Sequence, residues 1–321
     1  MGIDPILLRD QCKKTLARTE LPELGQRIEG KVRDCYVKDG KRYLVASDRV
    51  SCFDVVVGTI PFKGQVLNQL AAFWFEKTKD VAPNHVLSVP DPMVTIAREC
   101  KPMPIEFVFR GYLTGSTSTS IWKAYADGKR TYCGHRLPDG MKKHQKLPAA
   151  LLTPTTKAEH GEHDQLTSRA ELIERGVISA ALYDEVEAQL ARLFAAGQAW
   201  AATRGLILVD TKYELGFDAD GKLVVIDEIH TPDSSRYWYA DGYTEAFQRG
   251  EDPKSLDKEY VRRWLQERGY HGEGTPPTLT DDVRCEAARR YIETFERVTG
   301  RAFEPATDEP SARIRRSLRL V

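Results

Sequence analysis

Three charged residues stand at strand spacing in the stretch LILVDTKYELG. Asp210, Lys212 and Glu214 occupy i, i+2 and i+4, so an extended chain turns all three to one face. A second apolar run, Leu223-Val224-Val225-Ile226, follows the polar segment Asp218-Ala219-Asp220-Gly221, a hairpin signal. A two-residue turn at Asp220-Gly221 sets Glu214 opposite Asp227; a four-residue turn sets Lys212 there instead. Carboxylates paired across strands lie about 5 Å apart at Cβ and repel. A divalent cation between them removes the repulsion, and Mg²⁺ takes oxygen ligands with substrate phosphates completing its shell. A solvated acidic hairpin face would explain the same charges. The loop that follows tips the balance toward metal–phosphate chemistry: His230 to Arg236 carries the Asp233 carboxylate, the Ser234 and Ser235 hydroxyls, and the Arg236 guanidinium, whose fork fits phosphate or carboxylate.

Further polar clusters punctuate the chain upstream. Gly25 to Lys31 fits G-x-x-x-x-G-K, but Val32 follows where a P-loop needs Ser or Thr, and the next residues alternate like a strand, which excludes that motif. The segment is instead a hairpin turning at Asp39-Gly40, with Gly30, Lys31 and Val32 at its mouth, where backbone can approach phosphates beside a lysine charge. Ser47-Asp48-Arg49-Val50-Ser51 ends a strand in a polar cluster, and Lys63-Gly64 precedes a helical pattern where an anion could be met. Arg110 closes the strand-like run from Ile105, and Leu113 to Ser120 is a hydroxyl-rich approach to a helix, suited to anions. Lys157 and Asp164 belong to a polar loop whose His160 and His163 fit no zinc spacing.

The elements that must position these groups are legible as patterns. Apolar periodicity predicts helices over 6–17, 66–79, 121–126 and 178–204, the last terminated by Gly205, and over 258–267 and 281–299. The tail 305–321, with four arginines, reads as a frayed solvated end. At 321 residues the chain supports two domains or one large one, and its 47 basic and 47 acidic side chains leave no global field to recruit nucleic acid or membrane. Six scattered cysteines without a C-x-x-C pair favour reduced thiols. No signal peptide or membrane-length apolar run is present. These features point to a soluble cytoplasmic protein, expected to be monomeric.

LVDTKYELG and VIDEIHTPDSSRYW resemble the two signature segments of the SAICAR synthetase (phosphoribosylaminoimidazole-succinocarboxamide synthase) family, in its longer form. His230 departs from the residue usual at its position. The resemblance runs from about Gly30 to Glu304. It implies a two-lobed α+β fold with antiparallel sheets, ATP between the lobes as in kinase and ATP-grasp enzymes, and a helical C-terminal segment. The lobes are expected at 1–103 and 104–240, with 241–321 packed on them. It implies an ATP- and Mg²⁺-dependent ligase joining 5-aminoimidazole-4-carboxyribonucleotide to L-aspartate, with no partners beyond small molecules. Lys212, Asp210, Glu214 and Asp227 are then the catalytic set, with Glu214 and Asp227 on the metal and Asp210 orienting Lys212. Gly30, Lys31, Val32, Lys157 and an adenine hinge at Lys101 and Met103 complete the ATP site. Arg110, Ser116, Asp233, Ser235 and Arg236 are expected on the ribonucleotide, and Asp48, Arg49, Ser51, Lys63, Gly64 and Asp164 on substrate and aspartate pockets. The rival readings are another ATP-dependent ligase or small-molecule kinase, and a nucleotide-binding regulator without turnover.

Overall fold

A computed structural model describes residues 3–117, 119–156, 165–256 and 259–320. After helix α1 (Pro5–Gln11), strands β1 (Ile28–Glu29), β2 (Arg33–Lys38) and β3 (Lys41–Ala46) form antiparallel hairpins. Lys38 pairs with Lys41, leaving Asp39 and Gly40 as a two-residue turn with φ of 51° and 68°, the conformation that Asp-Gly supplies most readily. A ribbon of β4 (Arg49–Cys52) and β5 (Val55–Thr59) leads to α2 (Lys63–Lys77), and β6 (Val86–Asp91) and β7 (Val94–Arg98) complete a five-stranded sheet in the order β1-β2-β3-β7-β6.

Only Glu99 and Cys100 separate this sheet from β8 (Lys101–Tyr112), so the expected hinge segment is already strand. Helix α3 (Ile121–Ala126), the small ribbon of β9 (Thr131–Tyr132) and β10 (His135–Arg136), β11 (Lys146–Thr156), β12 (Gln165–Leu166) and α4 (Arg169–Glu174) follow. Helix α5 (Ala180–Thr203), capped by Ser179, ends at Gly205 with φ 68° and feeds β13 (Leu206–Phe217), β14 (Leu223–Ile226) and β15 (Ser235–Tyr239). The second sheet runs β12-β11-β8-β13-β14, with β15 also on β13.

Period-two alternation gives this sheet two unlike faces. Phe107, Phe109, Tyr213 and Leu215 are buried in the main core with Leu190, Leu193 and Phe194 of α5, and the Phe109 and Phe194 rings stack at 5.5 Å. The core is continuous with Trp74 and Leu70 of α2, while Tyr36, Val45 and Val94 of the first sheet pack in a separate cluster with Ile314. Helices α6 (Tyr243–Arg249), α7 (Glu259–Gln266), α8 (Asp281–Thr299) and α9 (Pro310–Ser317) close the chain. The tail is therefore not a frayed end: Arg313 pairs with the buried Asp91 at 2.8 Å, and Ile314 is fully buried. All six cysteines are free thiols. Among the described residues no helix is long and apolar enough to cross a membrane.

Candidate active site

The polar face of the second sheet forms one wall of a cleft of about 570 Å³. Asp210, Lys212 and Glu214 do share that face. Their partners on β8 are Arg110, Val108 and Glu106, so Glu106 lies directly opposite Glu214. Two like charges across a ladder need a counter-charge, and the Lys212 ammonium supplies it, donating to Glu106 Oε1 at 2.9 Å and Glu214 Oε1 at 2.6 Å. Burial works against that ammonium, but the carboxylates of Glu214, Glu106 and Asp227 outweigh it and hold Lys212 well above the ordinary lysine range.

The hairpin closes differently from either register anticipated. Phe217 pairs with Leu223 and Glu214 with Ile226, because Asp218 to Lys222 closes as a wider loop with Gly221 at φ 76°. The Asp218 carboxylate accepts from the Asp220 and Lys222 amides, fixing that loop. Asp227 leaves the strand in the left-handed region at φ 69° and is gripped by Arg33, with Nη1 to Oδ1 at 2.7 Å. The same guanidinium reaches Glu228 at 3.1 Å. Burial pushes the Glu228 carboxyl up despite that partner.

Facing this wall is the turn at Gly30, Lys31 and Val32, where the Gly30 amide donates to the Arg33 carbonyl at 2.8 Å. Lys31 is exposed and reaches Asp54 at 2.5 Å. Ser51, Phe53, Asp233, Ser234 and Arg262 line the rest. Asp210 does not orient Lys212. Its carboxylate accepts from Arg236 Nη1 and lies 3.8 Å from Arg110, whose Nε donates to Thr153 Oγ1 at 2.9 Å. Arg236 continues into a smaller neighbouring cavity of about 80 Å³, lined also by Ser116, His144 and Arg263.

Several anticipated ligands are engaged by protein partners. Arg49 is buried beneath the glycine turn, donating to the carbonyls of Ala17, Gly30 and Lys31 and to Asp34. Asp48 is buried and accepts the Leu16 and Gly64 amides at 2.8 and 2.9 Å, tying down the start of α2; burial raises its carboxyl to about 6. Gly64 is packed so closely that a Cβ there would meet the Ala46 carbonyl at 2.5 Å. Lys63 is fully buried on Asp233 at 2.7 Å, and Ser235 is buried on Thr211 at 2.8 Å. Met103 is in the core, while Lys101 is exposed and pairs through β8 with Phe217. Lys157 and Asp164 lie outside the described residues. Glu106, Arg33 and Glu228 are site residues that the sequence patterns do not single out. Glu106 was accessible through its i, i+4 relation to Arg110 on one strand; Arg33 and Glu228 adjoin assigned residues but carry no signal of their own.

A sequence profile of the SAICAR synthetase family matches residues 26–277. The chain belongs to that family. A phosphoribosylaminoimidazole-succinocarboxamide synthase of Cytophaga hutchinsonii is 50% identical over 305 residues, covering 94% of this chain and 96% of the relative. The chloroplastic synthase of Arabidopsis thaliana is 47% identical, covering 94% and 75%. The SAICAR synthase of Saccharomyces cerevisiae, solved in complex with SAICAR, superposes with a TM-score of 0.79 at 29% identity, covering 91% of this chain and all of that one. The long LVDTKYELG and PDSSR segments of this SAICAR synthetase family member thus sit where its sheet meets the cleft.

Proposed function

We infer that this protein is the ATP-dependent ligase that condenses 5-aminoimidazole-4-carboxyribonucleotide with L-aspartate to SAICAR, ADP and phosphate in purine biosynthesis. The observation that carries the reading is the Glu106–Lys212–Glu214 cluster on the cleft wall, opposite a glycine turn bearing Lys31. A carboxylate is a poor acyl donor because oxide would have to leave. Its oxygen therefore attacks the γ-phosphorus of ATP, expelling ADP and giving an acyl phosphate. The aspartate amine then attacks the acyl carbon; the C–N bond forms, the C–O bond to phosphate breaks, and the ammonium protons pass to solvent.

Such transfer depends on positioning and charge neutralisation. Lys212 and Lys31 supply positive charge to the phosphates. Arg110, Ser116 and Arg236 hold the ribonucleotide, with Asp210 fixing both guanidiniums. Glu214 and Asp227 would hold Mg²⁺: their donors are hard oxygens, and together with Glu106 they converge on the Lys212 ammonium. When bound, Mg²⁺ neutralises charge on the transferred phosphoryl group. Val32 offers backbone to the same phosphates, while the Gly30 amide and carbonyl are held by Arg33 and Arg49 and shape the turn. Lys101 and Met103 present backbone toward adenine at the edge where the described ladder with β11 stops at Ile105. Residues 1–103 and 104–240 act as the two lobes with 241–321 across them, in a cytoplasmic monomer.

The test is ADP release by purified protein given Mg-ATP and the carboxyribonucleotide, with and without L-aspartate. Release that requires both co-substrates, with a product of the succinocarboxamide mass, is expected. Release without aspartate would mark a kinase; none from folded, ATP-binding protein would mark a regulator.

A further inference from the structure

The family profile ends at residue 277, yet the chain beyond it reaches the cleft. Asp233 lines the cleft, and both of its carboxylate oxygens are engaged from behind. Lys63, fully buried at the start of α2, donates to Oδ2 at 2.7 Å. The Tyr291 hydroxyl, from the middle of α8, donates to Oδ1 at 2.7 Å. The Tyr291 ring also lies 5.5 Å from the Lys63 ammonium, so one aromatic side chain touches both members of the ion pair.

The same C-terminal region fixes the other side of Lys63. Gln65 exchanges two hydrogen bonds with the backbone of Ala306, at 2.8 and 2.9 Å, clamping the first turn of α2. Helix α8 is itself held at several points: Arg284 donates to the Thr59 and Cys12 carbonyls at 2.8 Å, and Trp200 donates to the Val298 carbonyl at 2.8 Å. A hydroxyl on so constrained a helix can aim a carboxylate, because neither partner has freedom to drift.

We propose that Tyr291 is a positioning residue of the ligase, aiming the Asp233 carboxylate into the cleft, and that α8, which follows the segment matched by the family profile, is thereby part of the active site. The inference rests on the ligase reading above. Asp233 is the group that meets substrate; Tyr291 acts only through it, and through Lys63.

Tyr291→Phe in the full-length protein keeps the ring beside Lys63 and deletes the hydrogen bond. The KM for the carboxyribonucleotide or for L-aspartate is expected to rise about tenfold, the scale of one hydrogen bond to a charged group, with the melting temperature close to that of the parent. A purely structural tyrosine would lower the melting temperature and leave both KM values in place. KM values within about twofold of the parent for both co-substrates, whatever happens to kcat, would overturn the proposal, given that one such bond carries more than that. A parent protein that makes no SAICAR would instead overturn the ligase reading, so the two failures are distinct.

Discussion

The second sheet has two faces built from the same strands, and they obey different rules. On the α5 side, Phe107, Phe109, Tyr213 and Leu215 are interchangeable in kind: each contributes by removing apolar surface from water. On the cleft side, two sets of ion pairs, Arg110 and Arg236 on Asp210 and Glu106 and Glu214 on Lys212, have each side chain answering a particular neighbour. Stability is stored one residue out of register from chemistry. Between Asp210 and Leu215, β13 buries Tyr213 and Leu215 in the core and turns Asp210, Lys212 and Glu214 to the cleft; before the irregularity at Leu208 the parity is reversed, with Leu206 and Leu208 in the core.

The largest effect should come from the cleft face. Lys212→Met is expected to lower turnover by about a thousandfold, as for loss of a preorganised charge, measured as SAICAR formed per folded molecule. It also leaves Glu106 and Glu214 facing each other without a cation. Adding Glu106→Gln to that variant is expected to recover stability in urea melts but no turnover; recovered turnover would show that the lysine serves only the sheet.

Phe109→Ala probes the opposite face. It should cost about 3 kcal/mol of unfolding free energy while turnover per folded molecule stays near that of the parent. A comparable collapse of turnover in protein shown to be folded would mean the two faces are not separable.

The smallest effect is on acid stability. His230 is fully buried, and burial holds its imidazole down at about 3. A depressed histidine contributes stability that is complete above its ordinary value near 6.5 and is lost as pH falls toward 3. Between about pH 6.5 and 5 this site should cost about 2 kcal/mol, and His230→Gln should flatten the urea-midpoint profile over that window. An unchanged slope would place the acid sensitivity elsewhere, with the similarly depressed His85 the next to test.

Local chemistry was readable from the residues; long-range pairing was not. The Asp39-Gly40 turn, the alternation of Asp210, Lys212 and Glu214, and the extents of α5 and α8 follow from rules acting over a few residues. The partner of Glu214 does not. It is Glu106, on a strand roughly a hundred positions earlier, and nothing in LVDTKYELG specifies it. The Glu214–Asp227 register failed for a local reason, since the Asp218 side chain stabilises a wider loop than Asp220-Gly221 alone suggests. Polar clusters look open to ligand in a sequence, because sequence carries no burial. Asp48, Arg49 and Lys63 are among the most polar residues of their segments, and the fold spends them on amides, carbonyls and Asp233.

Arg49 shows what such a buried group can still control. The carbonyls of Gly30 and Lys31 point down onto its guanidinium, and that of Val32 accepts from the Ser47 amide and hydroxyl. The lip of the cleft has thus had its acceptors sorted out of the way before any ligand arrives, and a phosphate meets no wall of carbonyl lone pairs there. Under the proposed function, preference for phosphate at this lip is set from underneath, by a guanidinium whose own anionic partner is the Asp34 carboxylate.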